Sequence, residues 1–242
     1  MVKKEYPLAL VTGAAHRLGR GFALALARQG YAILLHYHRS IEEATATAEE
    51  IRTAGVPVYL VQADLASTKQ IHSLFSTLDS LPHSLRVLVN SAAVMPRGNI
   101  RTLSSDEWDA ALDINLRAPF LCAQQAAARM PEGSLIVNVT DSGAGKAWTG
   151  FPAYTVSKAA LESLTRVLAR ALAPQIRVNA IAPGLVLPSE NVNPEEWERL
   201  VGRLPLKRPA FTDEIAAVLD FLLKNTYITG QTIVVDGGYS LI

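Results

Sequence analysis

The sequence predicts one α/β domain built on a doubly wound parallel sheet, and three observations lead there. Its 242 residues suffice for a single large domain and show no composition shift that would divide them. Short β-branched or Leu-rich runs alternate along the chain with longer segments of helical period. The runs lack the in-and-out alternation of half-exposed strands, as happens where helices cover both faces of a sheet.

In chain order, LALVT (8–12) is the first strand and 17–29 the first helix; YAILLHY (31–37) precedes a helix over 41–54. PVYLVQ (57–62) is followed by a helix over 68–78, and RVLVNS (86–91) by a long helical stretch from about 105 to 130. SLIVNVT (134–140) leads to a helix over 154–173 and IRVNAIA (176–182) to a Pro-rich excursion. A helix over 213–223 and the strand in QTIVVDGG end the chain. The stretch 186–210 is the one long insertion between elements, with a short helix expected around 195–201; such insertions are often lids over a substrate site.

Charge is balanced, 23 Lys+Arg against 22 Asp+Glu, with no basic block to follow a nucleic-acid backbone or an anionic membrane. The single cysteine, Cys122, sits in an apolar helical stripe and has no disulfide partner. No apolar run reaches the roughly 18 residues of a spanning helix, and MVKKEYP leads straight into a strand. A cytoplasmic protein acting on a small molecule is expected. The five histidines lack metal-ligand spacing, so no metal site is expected.

Chemistry enters with TGAAHRLG (12–19), between the first strand and the first helix, where a glycine-containing turn and a helix N-terminus can meet the phosphates of a dinucleotide. The second strand ends in HYHRS (36–40), where a free ribose 2′-hydroxyl would call for a carboxylate. His38, Arg39 and Ser40 instead suit a 2′-phosphate, which predicts NADPH over NADH. In YTVSK, Tyr154 and Lys158 stand four apart on one helix face, and an ammonium there is expected to bring a phenol's pKa down toward working range. NVTDSGAG (138–145) places Asp141 thirteen residues before Tyr154.

With these motifs in this order, joined by QADL, NSAA, DINL, RVNAIAPG and VDGG, residues 7–239 resemble the short-chain dehydrogenase/reductase superfamily. The resemblance implies a Rossmann-type sheet of about seven strands in the order 3-2-1-4-5-6-7, a homotetramer, and NADPH as cofactor. It implies that Gly13, Arg17, Leu18 and Gly19 meet the cofactor, together with the strand end His36, Tyr37, His38, Arg39 and Ser40. Asp64 and Leu65 would hold the adenine, Asn90, Ser91 and Ala92 the ribose side, and Thr140, Pro183 and Gly184 the nicotinamide end. Tyr154 would be the acid/base, Lys158 would bind the nicotinamide ribose, and Asn115 would support a proton-relaying water.

Within the superfamily the chain is most similar to pteridine reductases, which share the TGAA-x-RLG turn, an HYHRS-like strand end, an Asp at the position of Asp141 and an ending like YITGQTIVVDGGYSL. General reductases carry a serine there. An ionised Asp141 would oppose the alkoxide of ketone reduction, whereas a pterin offers several N–H donors to a carboxylate and needs a proton on nitrogen. Substrate is expected to meet Arg17, Met95, Asp141, Tyr154, Leu185 and Trp197. The chain departs from the pattern at Met95, where pteridine reductases place a ring-stacking aromatic, at Ser91 for a usual Asn, and after Gly184, where Ser189 is the next hydroxyl. Three alternatives stay open: Asp141 as a turn residue with Thr140 or Ser142 facing a carbonyl, a 3-oxoacyl-thioester or small-ketone reductase, and an NADPH-responsive binding protein without catalysis.

Overall fold

The unbroken apolar runs are buried strands: all five residues of β1 (Leu8–Thr12) and all six of β5 (Ser134–Val139) are sealed from solvent. The computed structural model describes residues 5–188 and 192–242; Ser189 lies outside them. With β2 (Ala32–Tyr37), β3 (Val58–Gln62), β4 (Leu85–Asn90), β6 (Ile176–Pro183) and β7 (Thr232–Val235), these strands form one parallel sheet in the order β3-β2-β1-β4-β5-β6-β7. Alternate residues of β1 feed two cores. Ala9 and Val11 pack with α1 (Arg17–Arg28), α2 (Ile41–Thr53) and α8 (Thr212–Lys224) through Phe22, Ile51 and Leu219. Leu8 and Leu10 face α3 (Thr68–Asp79), α5 (Ala118–Ala127) and α6 (Pro152–Leu172) through Phe75, Cys122 and Leu168. Cys122 is fully buried, which pushes its thiol up to about 12 and leaves it inert. No helix among the described residues is long and apolar enough to cross a membrane.

The long helical stretch expected from about 105 to 130 runs without a break from 105 to 127, with a π-helical turn inside it. After α4 (Ser105–Leu112), opened by the capping box of Ser104 and Glu107, the residues Asp113–Arg117 form a π-helical turn before α5 begins. Inserted turns of this kind are common at functional sites, and here the turn contains Asn115. The insertion over 186–210 contains α7 (Pro194–Arg203), capped by the Asn193 side chain accepting from the Glu196 N–H at 2.8 Å.

Strand order reverses between β1 and β4, so the connections after them diverge and open a crevice at their C-terminal ends. His36 braces that crevice. Its Nδ1 accepts from the Gly13 N–H at 3.1 Å and its Nε2 donates to the Ala63 carbonyl at 3.0 Å, an arrangement only the neutral ring can make. Burial lowers its pKa from 6.5 to about 4. Because the folded value lies below the unfolded one, this contribution to stability is whole above pH 6.5 and is lost as pH falls through about 4, a swing of about 3 kcal/mol. Urea unfolding at pH 7 and pH 4.5 is expected to show that loss in the wild type and a shallower pH dependence in His36→Asn; equal slopes would remove His36 from this role.

Candidate active site

Two close approaches shape the turn after β1. Gly13 has φ +64°, and a Cβ there would fall 2.8 Å from the Ala92 α-carbon; a Cβ on Gly19 would fall 2.1 Å from the Gly13 carbonyl oxygen. Thr12 Oγ1 accepts from the N–H groups of Ser91 and Ala92 at 3.0 and 3.1 Å, tying the turn to the end of β4. At the start of α1 no side chain caps the helix and its first turn carries no acid, so its positive end is open to an anion. Arg17, at φ +53°, directs its guanidinium to the carbonyls of Leu187 and Pro188 at 2.9 and 2.8 Å. Arg17 lines the cavity where a cofactor or substrate contact is expected, and its guanidinium also fastens the turn to the segment after β6.

From this turn a cavity of about 940 Å³ runs across the C-terminal ends of the strands. At one end lie Tyr37, His38, Arg39 and Ser40, with Asp64 and Leu65 after β3. The Ser40 hydroxyl makes no cap bond to α2. The middle holds Leu18, Ser91, Ala92, Thr140, Pro183 and Gly184; the far end holds Met95, Asp141, Tyr154, Lys158, Leu185 and Trp197. His36 reaches the wall, but both ring nitrogens are already bonded within the protein.

Two expected site residues stand behind the cavity. Asn90 is buried and donates from Nδ2 to Asn138 Oδ1 at 2.9 Å, and Asn138 in turn donates to Thr165 Oγ1 at 2.9 Å, so this side chain links β4, β5 and α6 instead of facing a ribose. Asn115 accepts from the Val94 N–H at 2.9 Å and donates to the Val94 carbonyl at 2.8 Å and to Ser157 Oγ at 3.0 Å. Its amide, fully engaged, braces α6 against the segment after β4.

The reactive end differs from the expected lysine-activated tyrosine. Tyr154 Oη donates to Asp141 Oδ2 at 2.6 Å, while the Gly143 N–H donates to Asp141 Oδ1 at 2.7 Å. Asp141 is therefore held by the turn and bonded to the phenol at once. The Thr140 hydroxyl bonds the Ile181 carbonyl at 3.3 Å; Ser142 lines the cavity with its Oγ buried and unpartnered among the described residues, while the group bonded to Tyr154 is Asp141. Burial, then the charge and hydrogen bond of Asp141, raise the Tyr154 pKa well above 10. That reverses the expected direction. Lys158 Nζ lies 5.8 Å from the Tyr154 ring centroid and donates to the Val139 carbonyl at 2.7 Å; burial lowers its own pKa to about 8. Burial also raises Asp141, against the Tyr154 hydrogen bond, the Gly143 N–H and the Lys158 charge. The pair can hold one proton between phenol and carboxylate, both largely buried.

Residues that sequence patterns did not single out complete the mouth: Trp148 and Phe151 from the segment between β5 and α6, Tyr239 from the C-terminal segment, and Arg97 with Glu196. Arg97 Nη2 lies 3.3 Å from Glu196 Oε2, joining the segment after β4 to α7. Trp148, Phe151 and Arg97 lie in no motif; Glu196 falls in the short helix expected around 195–201 and Tyr239 in the ending YITGQTIVVDGGYSL, where nothing local marks either as a site residue.

The fold and this crevice define a Rossmann-type oxidoreductase. A family model described as Enoyl-(Acyl carrier protein) reductase matches residues 13–240, and the chain belongs to the short-chain dehydrogenase/reductase family. It is 36% identical over 237 residues to the 3-oxoacyl-(acyl-carrier-protein) reductase FabG of Staphylococcus aureus, covering 95% of this chain and 96% of the relative. The crystal structure of FolM Alternative dihydrofolate reductase 1 from Brucella canis, complexed with NADP, superposes with a TM-score of 0.92 at 37% identity, covering 98% of this chain and 94% of that one. A blue fluorescent protein from a metagenomic library, in complex with NADPH, gives a TM-score of 0.92 at 32% identity, with 98% of each chain covered.

Proposed function

We propose that this protein is an NADPH-dependent reductase of pterins, dihydropterins or a related conjugated heterocycle. One observation carries the reading: the buried 2.6 Å bond between Tyr154 and Asp141, which puts a carboxylate where a carbonyl would need a neutral donor. The likeness to the Brucella dihydrofolate reductase, solved with NADP, supports both the cofactor and the substrate class.

The residues present fit the dinucleotide. The Gly13–Gly19 approach leaves backbone where a phosphate must come close, and the unacidic start of α1 faces it. His38, Arg39 and Ser40 at the β2 tip would hold a 2′-phosphate, and Asp64 and Leu65 the adenine. Arg39→Ala is expected to raise the NADPH KM by about 10- to 100-fold, the loss of one charged hydrogen bond, and to leave the NADH KM nearly unchanged. Equal effects on the two cofactors in steady-state assays would contradict the assignment.

Bound NADPH supplies the hydride. The chain's own work is orientation and proton delivery. Asp141 accepts from ring N–H or amino donors and fixes the heterocycle, while the Tyr154–Asp141 pair passes its proton to the ring nitrogen beside the reduced carbon. Lys158 stabilises the charge left on the pair and would meet the nicotinamide ribose. Asn115 holds α6, and with it Tyr154, in place through Ser157.

The relationship to FabG favours a second reading, a 3-oxoacyl-thioester reductase with Tyr154 protonating the carbonyl oxygen. Against it, an ionised Asp141 would face the developing alkoxide and forfeit about 3–4 kcal/mol of oxyanion stabilisation. An NADPH-consumption panel of dihydrobiopterin, dihydrofolate, an acetoacetyl thioester and a diketone separates the two; turnover of only the last pair would overturn the pterin reading. We also infer a homotetramer through α5, α6 and β7, supported by exposed Phe120, Val167 and Val234; a monomeric mass in sedimentation would contradict it.

A further inference from the structure

We infer that Trp148 is the ring-binding wall of this site, an indole fixed from outside by the C-terminal segment, against which a planar conjugated substrate lies beside Asp141. The inference rests on the heterocycle reading of the same site. Sequence placed the ring cover at Met95, which does line the cavity but has no flat face. A flat face is supplied from another segment. Trp148 lines the cavity, and its position is set by the backbone next to the acid: a Cβ at Gly143 would fall 2.3 Å from indole Cζ2 and 2.4 Å from Cη2. The indole therefore lies on the α-carbon of the residue whose N–H holds Asp141 Oδ1. A ring bonded to Asp141 comes within reach of the indole.

The wall is backed on two sides. The Tyr239 ring centroid is 6.0 Å away at 55°, and that of Phe151 is 6.4 Å away at 64°. Lys146 holds Tyr239 in turn: its ammonium stands 3.9 Å from the Tyr239 ring centroid and donates to the carbonyls of Tyr239 and Ile242. Lys146 touches no part of the proton-transfer pair and is a positioning residue. A flat ring gains stacking on such a surface beyond the area it buries; a flexible acyl chain gains only the area.

Calorimetric titration of dihydrobiopterin in the presence of NADP⁺ tests this, with Trp148→Leu, Trp148→Phe and Lys146→Met beside the wild type. Trp148→Leu is expected to weaken dihydrobiopterin binding about tenfold. Trp148→Phe should stay within about threefold of the wild type, since it keeps an aromatic face. NADP⁺ affinity should not change, and in turnover KM should rise while kcat is largely kept. Lys146→Met should give a smaller rise in KM with the pH profile unmoved. Unchanged dihydrobiopterin affinity in Trp148→Leu, an equal loss of NADP⁺ affinity, or no ring binding by the wild type overturns the inference. Ring binding that depends on Trp148 without reduction leaves the wall standing and sinks the reductase reading; reduction with affinity indifferent to Trp148 does the reverse.

Discussion

Tyr154→Phe is expected to lower turnover by about 10³-fold while NADPH binds as before. The phenol oxygen makes its bond to Asp141, and the ring is buried on α6, whose Ser157 bonds the Tyr154 carbonyl and the Asn115 amide. Phenylalanine keeps that packing and removes only the proton-bearing oxygen. It also removes a hydrogen bond that lowers Asp141, so the remaining carboxyl shifts further upward. Fluorescence titration with NADPH and single-turnover hydride transfer check the two halves separately. Lost NADPH affinity would mean that the tyrosine is structural, and retained turnover would move proton delivery elsewhere.

Asp141→Asn carries the second large effect, an expected drop of about 10²-fold or more in kcat/KM for a dihydropterin. The amide can still accept from the Gly143 N–H, so the turn survives and the charge is what disappears. In the wild type that charge helps raise the Tyr154 pKa. Without it the phenol ionises at lower pH, and the alkaline limb of the activity profile is expected to move toward neutrality. Since the pair titrates as a unit, the limb belongs to the pair and not to one residue. A limb that stays in place would show that Asp141 does not govern the tyrosine's proton.

The parts of this fold legible in the sequence are those whose physics is local. β1, β5 and β6 are covered on both faces and read as largely apolar runs without in-and-out alternation, and the glycines of TGAAHRLG mark backbone that must pass within contact distance of Ala92 and Ala14. HYHRS shows its lack of a carboxylate directly. The π-helical turn at Asp113–Arg117 was not legible, because one extra residue in a turn leaves the flanking apolar period almost intact. Spacing pointed Tyr154 both to Lys158 and, thirteen residues back, to Asp141; that Asp141 bonds the phenol directly while Lys158 bonds the Val139 carbonyl depends on the turn that Gly143 closes. The family resemblance placed Asn90 on the ribose side; its neighbour across the sheet, Asn138, claims the side-chain amide. Trp148 and Tyr239 meet only through tertiary folding: Trp148 sits in no motif, and Tyr239, though part of the ending YITGQTIVVDGGYSL, carries no local sign of its partner.

The specificity ratio between dihydrobiopterin and an acetoacetyl thioester, measured by kcat/KM in the wild type and in Asp141→Ser, tests the central claim most directly. If the Tyr154–Asp141 pair dedicates this site to a nitrogen heterocycle, the wild type favours dihydrobiopterin and the serine variant lowers the ratio by about 10²-fold or more, with thioester reduction rising as the opposing charge is removed. A wild type that prefers the thioester, with a ratio indifferent to the serine, would contradict it.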